Sequence, residues 1–290
     1  MRVATSLRVV IAIVIAIALV ATPLPAQAAP RQLLSIYFLD VGQGDAALIR
    51  TTSGKRILID AGPSARAMEY HLWESDFDTL DLVVASHNHS DHIGGMGWVF
   101  KRFVVRALMT NDLPHTTNAY SSMLLSASRE AGLLYLQPTR RVITVGDVRL
   151  RVLPPSKLDG SQNNNSVGIL LEYGDFRVLF TGDAERKQIE HWLRNDSIPR
   201  VDIVKAGHHG ARNGVTREWI AATRPADVII SASRMNSYGH PDPAVVLSWQ
   251  AAGAKVYTTA TDGPLFLAVQ NGKYRISTRR NVLSAPIRTP

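Results

Sequence analysis

The chain has 290 residues, of which 46% are hydrophobic and 19% are charged, and it contains no cysteine. These values exclude a disordered chain, a collagen and a coiled coil, and they allow one large globular domain with a real core. The lack of cysteine excludes disulfides, thiolate metal sites and a cysteine nucleophile, so a metal must be held by histidines and carboxylates. The net charge of +8 suits an anionic substrate such as nucleic acid, a wall polymer or a lipid head group, although solubility alone also accounts for it.

The first residues predict the destination of the protein. Arg2 and Arg8 accompany an apolar stretch at residues 9–21, and an Ala-Gln-Ala triplet follows at residues 26–28. This order predicts a signal peptide over residues 1–28 and a secreted or periplasmic protein, with an uncleaved N-terminal anchor as the alternative. The apolar stretch is shorter than the about 20 residues that span a bilayer, and we expect no transmembrane segment later in the chain.

The remaining residues predict alternating strands and helices. In the first half we expect a helix at residues 119–131 that ends at Gly132, and strands at residues 34–40, 46–50, 56–60 and 81–86. In the second half we expect helices at residues 184–194 and 243–252, and strands at residues 142–153 (two short strands), 167–173, 176–181, 201–205, 228–231, 255–259, 266–269 and 274–277. This pattern predicts an α+β fold in which two sheets pack face to face with helices outside. We expect one domain over residues 29–290, with a core at about 33–278 and a loose tail at about 279–290.

A histidine-rich run follows a predicted buried strand and has the sequence HNHSDH at residues 87–92. Side chains two residues apart in an extended chain point to the same side, so His87 and His89 can converge on one metal. The chain then turns, and Asp91 and His92 can face a second metal, with Asp91 also a candidate catalytic residue. The order HxHxDH therefore predicts a metal centre, against the alternative of a polar loop with incidental histidines.

Two aspartates at the ends of predicted strands are candidates to complete this centre. Asp183, in the segment LFTGD, can act as an anionic ligand shared by two metals. Asp60, in the segment ILIDAG, can hold the metal ligands in place through hydrogen bonds. A helix N-cap or turn role for Asp183 and an ordinary strand-end role for Asp60 are the alternatives.

Histidines late in the chain can supply the last ligand of the second metal. His208 and His209 follow a predicted strand, and His240 lies in a Tyr-Gly-His-Pro segment. We predict that His240 is the ligand and that His208 or His209 is a proton donor or phosphate contact, with the reverse assignment as the alternative. We expect surface or helical positions for the remaining histidines, His71, His115 and His191.

Taken together, these motifs resemble the metallo-β-lactamase superfamily and, within it, the hydrolase domain of ComEC-type competence proteins. The matching segments run in the family's order from about residue 33 to about residue 270: LDVGQGD at 39–45, the Asp60 strand, the HxHxDH run, NNSV at 164–167, TGDAE at 181–185, HHG at 208–210 and YGHP at 238–241. The DVGQGD segment is characteristic of the ComEC branch. The resemblance implies a four-layer αβ/βα sandwich with two divalent metal ions, Zn²⁺ or Mn²⁺, at one edge of the two sheets.

The resemblance also assigns roles to further residues, with one departure from the family pattern. Most superfamily members have a ligand histidine between the HxHxDH run and the shared aspartate, whereas residues 148–182 contain no histidine. Asn165 and Ser166 stand there instead, as in ComEC-type domains, which implies a more weakly held first metal. Asn165 is therefore a candidate catalytic residue, and Ser166 and Asp45 join Asp60 as candidate supporting residues.

The activity that the resemblance implies is hydrolysis. A divalent metal lowers the pKa of a bound water to about 7, the hydroxide attacks phosphorus or a carbonyl carbon, and a histidine or Lys205 protonates the leaving oxygen. The basic charge and the ComEC-like motifs favour an exported phosphodiesterase, a nuclease that acts on extracellular DNA. The alternatives are an esterase, phosphorylcholine esterase or lactonase on the same scaffold, and a non-catalytic nucleic-acid-binding module. The intact HxHxDH run, Asp183 and His240 argue against the last alternative.

Overall fold

The structure is a computed structural model, and it describes residues 33–157 and 159–278 of the chain. The signal peptide predicted at residues 1–28 and the tail predicted at about 279–290 lie outside the described residues. Within the described ranges, no helix is both long enough and apolar enough to cross a membrane.

Seventeen strands and eight α-helices are present in the described residues. The strands are β1 (Leu34–Phe38), β2 (Ala47–Arg50), β3 (Arg56–Ile59), β4 (Thr79–Leu80), β5 (Leu82–Val84), β6 (Val104–Val105), β7 (Ala107–Met109), β8 (Leu134–Leu136), β9 (Arg141–Val145), β10 (Val148–Leu153), β11 (Gly168–Tyr173), β12 (Phe176–Phe180), β13 (Ile203–Lys205), β14 (Asp227–Ile230), β15 (Lys255–Thr258), β16 (Leu265–Gln270) and β17 (Lys273–Thr278). The helices are α1 (Ala65–Leu72), α2 (Ser90–Ile93), α3 (Met96–Arg102), α4 (Asn118–Ala127), α5 (Arg186–Asn195), α6 (Arg217–Thr223), α7 (Pro243–Ala251) and α8 (Thr259–Asp262).

Most of the strands form two large sheets. The first sheet has eight strands in the order β17-β16-β1-β2-β3-β5-β7-β8, and the second has seven in the order β15-β14-β13-β12-β11-β10-β9. One apolar cluster fills the space between the sheets, a second lies between the first sheet and helices α1–α4, and a third lies between the second sheet and helices α5–α7. The predicted four-layer αβ/βα sandwich is therefore confirmed.

Alternating side chains along the strands build these layers. In β1, Leu34, Ile36 and Phe38 are buried between the two sheets, whereas Tyr37 packs against the helical layer on the other side. This is the period-two pattern of a strand with an apolar layer on each face. Burying a large aliphatic side chain contributes about 1.5–3 kcal/mol, so a polar substitution at Ile36 would weaken the contact between the sheets.

The helix predicted at residues 119–131 is shorter than expected. It spans Asn118–Ala127, and the hydroxyl of Thr117 caps its start by accepting a hydrogen bond from the backbone N–H of Tyr120. The chain turns after the helix and reaches Gly132 with a φ of 77°. Several short elements, among them α1, α6 and β6–β8, were not predicted, because they hold too few residues to show a clear period.

Parallel strands in both sheets determine where the functional residues meet. β3, β5 and β7 are parallel in the first sheet, and β12, β13, β14 and β15 are parallel in the second. The carboxyl ends of parallel strands lie at one edge of a sheet, where ligands commonly bind. The segments that follow β3, β5, β12, β13 and β14 carry Asp60, residues 87–92, Asp183, residues 207–214 and residues 231–240.

Candidate metal centre

The HxHxDH run changes from extended chain to helix within six residues. β5 leads to His87, and α2 begins at the next turn, so Asp91 and His92 lie in the first turn of that helix. Gly94, just after α2, allows the helix to lie close to the neighbouring loop, because a Cβ there would lie 2.0 Å from the carbonyl oxygen of Pro63. The run therefore presents two histidines from extended chain and an Asp-His pair from a helix start.

Asp91, His92, Asp183 and His209 form a cluster, which we call the ligand cluster. Each offers one ligand atom, and these atoms lie within 4.8 Å of one another. His92 Nε2 lies 3.2 Å from Asp183 Oδ1. His209 Nε2 lies 3.1 Å from Asp91 Oδ2 and 3.3 Å from Asp183 Oδ2. Two imidazole nitrogens and two carboxylates thus converge on one small volume.

Two atoms of the ligand cluster are buried without a hydrogen-bond partner among the described residues, namely His92 Nε2 and Asp183 Oδ1. Burying polar atoms without a partner costs free energy, and a cation between these two atoms would satisfy both. Imidazole nitrogen and carboxylate oxygen are ligands that Zn²⁺ and Mn²⁺ accept. The residues present therefore fit a divalent metal ion.

His87 and His89 form a second group beside the ligand cluster. His87 Nε2 lies 3.0 Å from His89 Nδ1 and 4.0 Å from Asp183 Oδ2. Burial lowers the pKa of His87 well below 6.5 and also lowers the pKa of His89, so both rings are neutral at pH 7. Asp183 belongs to the ligand cluster and also faces this second group, which is the location we predicted for a shared ligand.

Hydrogen bonds to the far ring nitrogens orient His92 and His209. His92 Nδ1 donates to Asp60 Oδ2 at 2.8 Å, and His209 Nδ1 donates to the carbonyl oxygen of Ser231 at 2.9 Å. In both rings Nε2 then faces the cluster, as in histidines that bind metals. Asp60 itself accepts from the backbone N–H and the hydroxyl of Ser86 at 2.7 and 2.8 Å, which fixes its carboxylate.

The charges of the ligand cluster shift one another's pKa values. Burial alone would lower the pKa values of His92 and His209, but the carboxylates around them, Asp183 first, raise both well above 6.5. Burial would raise the pKa of Asp91, but His92 and His209 lower it to about 2. Without a metal, the two histidines are therefore charged at pH 7. Because a metal binds neutral imidazole, binding must displace these protons.

Lys205 lies beneath the ligand cluster. Its Nζ pairs with the Asp45 carboxylate, and both side chains are buried. Asp45 Oδ1 lies 3.5 Å from His209 Nδ1, so the pair also touches the cluster. Gly44, with a φ of 137°, lies against the backbone of Asp91, because a Cβ there would lie 2.1 Å from the Asp91 carbonyl oxygen. Asp45 thus lies where a supporting residue is expected, and its carboxylate binds the ammonium group of Lys205.

Asn165 and Ser166 stand where most superfamily members have a ligand histidine, and their side chains have different partners. Asn165 Oδ1 accepts from the backbone N–H of Lys157 at 2.7 Å, and its Nδ2 donates to two carbonyl groups of the same loop. Because these bonds occupy both ends of the amide, the structure does not bring Asn165 to the ligand cluster. Ser166 Oγ accepts from the backbone N–H of Asp183 at 3.2 Å and so helps to position that carboxylate.

A cavity of about 340 Å³ opens onto the ligand cluster. His208 and His240 form part of its rim, with ring centroids 5.4 Å apart. Glu185 Oε1 lies 3.4 Å from His208 Nδ1, and Tyr238 stacks on His240 with ring centroids 5.8 Å apart. The rim thus carries two histidines that do not belong to the ligand cluster, His208 and His240, and His208 lies beside the carboxylate of Glu185.

The structure brings His209, and not His240, to Asp91 and Asp183. His240 remains on the rim, and its Nδ1 is buried without a partner in the described part of the chain. The geometry therefore matches the reverse assignment that the sequence left open, in which His209 rather than His240 contacts the two carboxylates.

Sequence reasoning missed three residues near the site. Ser86 orients Asp60, Glu185 contacts His208, and Asn163 lies on the cavity with Nδ2 bonded to Glu185 Oε1 at 2.9 Å. His115, which we expected at the surface or in a helix, lies on a loop with its ring 5.7 Å from that of His89. In the sequence, Ser86 directly precedes His87 and Glu185 follows Asp183 by two residues. This nearness to predicted ligands is the only signal that could have indicated a role for Ser86 and Glu185.

Comparison with known proteins agrees with this geometry. The sequence profile of the metallo-beta-lactamase superfamily matches residues 39–234. The chain belongs to the metallo-β-lactamase superfamily. It is therefore a member of a hydrolase superfamily whose fold typically binds divalent metals, and the ligand cluster is its candidate metal site.

Several curated proteins are related to the chain over most of its length. ComE operon protein 3 of Bacillus subtilis is 26% identical over 259 residues, covering 81% of this chain and 33% of that protein. Recombination protein 2 of Haemophilus influenzae is 30% identical over 236 residues, covering 78% of this chain and 27% of that protein. Endoribonuclease ysh-1 of Neurospora crassa is 24% identical over 199 residues, covering 58% of this chain and 23% of that protein. The predicted resemblance to ComEC-type competence proteins is confirmed, and the chain spans a third or less of these relatives.

Two solved structures share the fold of the chain at low sequence identity. The metallo-beta-lactamase fold protein YhfI from Bacillus subtilis has a TM-score of 0.53 at 12% identity, covering 77% of this chain and 96% of that chain. A mutant of the CmlA beta-hydroxylase has a TM-score of 0.55 at 16% identity, covering 83% of this chain and 55% of that chain. These similarities establish the fold alone, so the reaction must be argued from the site.

Proposed function

We propose that the protein is a two-metal phosphodiesterase, a nuclease that cleaves DNA. The observation that carries the proposal is the ligand cluster, in which His92 Nε2 and Asp183 Oδ1 are buried and 3.2 Å apart, without a hydrogen bond to any described residue. The relatives named ComE operon protein 3, Recombination protein 2 and Endoribonuclease ysh-1 support a nucleic-acid substrate over a β-lactam or a lactone. The net charge of +8 favours the same class of substrate.

Two groups of side chains would hold the metals, which we propose to be Zn²⁺ or Mn²⁺. Asp91, His92 and His209 would hold one ion, His87 and His89 would hold the other, and Asp183 would be shared. When bound, the ions supply a nucleophile at neutral pH and positive charge beside the phosphoryl oxygens. The second group has fewer protein ligands, so we expect it to release its ion more readily.

Other groups of the protein would orient the histidines that hold the metals and protonate the leaving oxygen. Asp60 and the Ser231 carbonyl fix the tautomers of His92 and His209, so that Nε2 of each ring stays directed into the cluster. We propose that His208 protonates the leaving oxygen, because it lies on the rim of the cavity and its ring is held by Asn213 Oδ1 at 2.9 Å and Glu185 Oε1 at 3.4 Å from Nδ1. His240, on the same rim, would contact the phosphate group.

The test of the reaction class compares substrates in one preparation of metal-loaded protein. The substrates are linear DNA, p-nitrophenylphosphorylcholine, a lactone and a chromogenic β-lactam. Cleavage of DNA to products with defined phosphate ends, with little turnover of the other three, is the expected result. Preferred turnover of the phosphorylcholine ester or the lactone would replace the nuclease proposal with an esterase or lactonase. Tight DNA binding without turnover of any substrate would point to a binding module.

We also propose that the protein acts outside the cytoplasm, where its partner would be extracellular DNA. The basis is Arg2 and Arg8, the apolar stretch at residues 9–21 and the Ala-Gln-Ala triplet at residues 26–28. N-terminal sequencing of protein recovered from the periplasm or the medium should begin at residue 29. Recovery only in the membrane fraction with residues 1–28 attached would favour the uncleaved anchor.

A further inference from the structure

A second concave surface lies on the outer face of the second sheet, between α5 and α6, and we call it the arginine groove. Its volume is about 1170 Å³, and the end of α7 closes one side. None of its lining residues belongs to the ligand cluster or to the rim of the cavity above that cluster. The proposed metal centre therefore leaves this surface unexplained.

The two helices present similar stripes of residues to the groove. Along α5 the stripe has the spacing of a single helix face and consists of Arg186, Glu190, Leu193 and Arg194. Along α6 and its cap the stripe has the same kind of spacing and consists of Arg217, Ile220, Ala221 and Arg224. Each helix thus carries one groove-lining arginine at its first residue and one at its end, with Glu190 and Leu193 between them in α5 and two apolar side chains between them in α6.

Most of these arginines have no acidic partner. Arg194 lies 3.7 Å from Glu190, whereas Arg186, Arg217 and Arg224 are exposed and form no ion pair with any described residue. Four arginines face the groove against the two acidic side chains of Glu190 and Glu218, so the groove carries net positive charge. Exposed arginines without partners are well suited to phosphate groups, which they bind through two parallel hydrogen bonds.

Two chain segments connect the arginine groove to the rim of the cavity. Arg186 directly follows Glu185, whose carboxylate lies 3.4 Å from His208 Nδ1. The loop that carries His208 leads through a 3₁₀ turn to Val215, which also lines the groove. From Arg186, α5 runs about 12 Å to the far end of the groove at 1.5 Å per residue. One strand of DNA carries a phosphate about every 3.4 Å along the duplex axis, so this length matches several phosphates.

We propose that the arginine groove binds the phosphodiester backbone of a nucleic-acid strand that continues out of the cavity. The arginines contact successive phosphates, and the apolar floor around Leu193 and Ile220 contacts sugars and bases. This inference rests on the proposed nuclease function and deepens it, because it makes the substrate a polymer that extends past the cleaved bond. A small phosphodiester would fill the cavity and leave the groove empty.

The test measures strand binding without cleavage. Metal-free protein, kept in a chelator, is titrated against a fluorescein-labelled 20-nucleotide single strand from 50 to 300 mM salt, and binding is read as anisotropy. The groove variant is Arg217→Gln/Arg224→Gln. The matched control is Arg129→Gln/Arg275→Gln, which removes two exposed arginines without ion pairs from the half of the protein that contains the first sheet. Circular dichroism melting confirms that both variants fold.

Each lost phosphate contact lowers the slope of log K against log salt by about 0.7 for a single strand. The groove variant should therefore lose about 1.4 in slope and bind about tenfold more weakly at 150 mM salt, while the control variant matches the unaltered protein. Equal slopes and affinities for both variants would overturn the inference, as would failure of the unaltered protein to bind the strand at 50 mM salt. A groove variant that changes only the oligomeric state in sedimentation would overturn it too and mark a contact between copies.

Hydrolysis of bis-p-nitrophenyl phosphate by the unaltered, metal-loaded protein is measured separately. It reports on the proposed reaction and does not require the groove. If the unaltered protein does not hydrolyse this substrate but the groove variant still has the smaller salt slope, the proposed function alone is contradicted. If hydrolysis occurs but the groove and control variants have equal salt slopes, the groove proposal alone is contradicted.

Discussion

Asp183 Oδ1 lies 3.2 Å from His92 Nε2 at the base of the cavity, and neither atom has a hydrogen-bond partner among the described residues. The other oxygen of Asp183 lies 3.3 Å from His209 Nε2 and 4.0 Å from His87 Nε2. One carboxylate therefore faces both groups of histidines. This relationship links the two halves of the chain, because Asp183 follows a strand of the second sheet and His92 follows a strand of the first.

The assignment of the last ligand can be tested with metal content. His209→Ala should lower the bound metal measured by mass spectrometry after dialysis, because His209 Nε2 lies beside Asp91 and Asp183. His240→Ala should retain the metal content of the unaltered protein. His191→Ala, in α5 and outside the cavity, is the control. Loss of metal in His240→Ala with full content in His209→Ala would restore our first assignment.

The role of His208 can be tested by changing the leaving group. A p-nitrophenolate leaves without a proton, whereas the alkoxide of a nucleotide needs one. His208→Ala should therefore lower kcat for DNA by about 10²–10⁴-fold and affect bis-p-nitrophenyl phosphate far less. An equal loss on both substrates would show that His208 acts in some other way, such as by binding phosphate.

The buried pair of Lys205 and Asp45 should matter for stability more than for proton transfer. Removing one member of a buried ion pair typically costs about 3–5 kcal/mol, because the other charge is left unpaired. Lys205→Met alone should lower the free energy of unfolding in urea by that amount, and Asp45→Leu/Lys205→Met should recover most of the loss. A single variant within about 1 kcal/mol of the unaltered protein would contradict this interpretation.

The metal-free protein should lose stability as pH rises. The folded pKa values of His92 and His209 lie above 6.5, so their protonation stabilises the fold fully below pH 6.5 and is lost as pH rises through the folded values. Asp91, with a pKa of about 2, acts in the opposite sense, and its contribution is lost only as pH falls below about 4. Urea unfolding in chelator from pH 7.5 to pH 9, above the range in which the lowered pKa values of His87 and His89 act in the opposite sense, should therefore show a falling free energy of unfolding. A rise over that range would show that the two histidines are not charged in the folded protein.

The sequence was informative where chemistry follows from local spacing. The HxHxDH run, Asp60 and Asp183 each directly follow a strand, and the parallel strands bring them to one edge. The choice between His209 and His240 could not be made from the sequence, because it depends on the backbone of residues 207–210. There His208 and His209 both have positive φ, and of the two only His209 lies in the ligand cluster.

Other features depended on contacts between distant segments. Asn165 stands at the expected position, but hydrogen bonds to its own loop keep its amide from the cluster. Lys205 resembles a proton donor in the sequence, and only the structure shows that Asp45, 160 residues earlier, holds its ammonium group. The spacing of residues along the sequence does not indicate which buried charged groups form an ion pair in the fold.

The most direct test of the central claim is hydrolysis of bis-p-nitrophenyl phosphate by metal-stripped protein with Zn²⁺ or Mn²⁺ added back. Asp183→Asn and His92→Ala are the site variants, and Asp76→Asn, at an exposed surface carboxylate, is the control. We predict that added metal restores turnover in the unaltered protein and the control and does not restore it in either site variant. No turnover with either metal, in protein shown to bind two ions, would contradict the assignment of a metal-dependent phosphodiesterase.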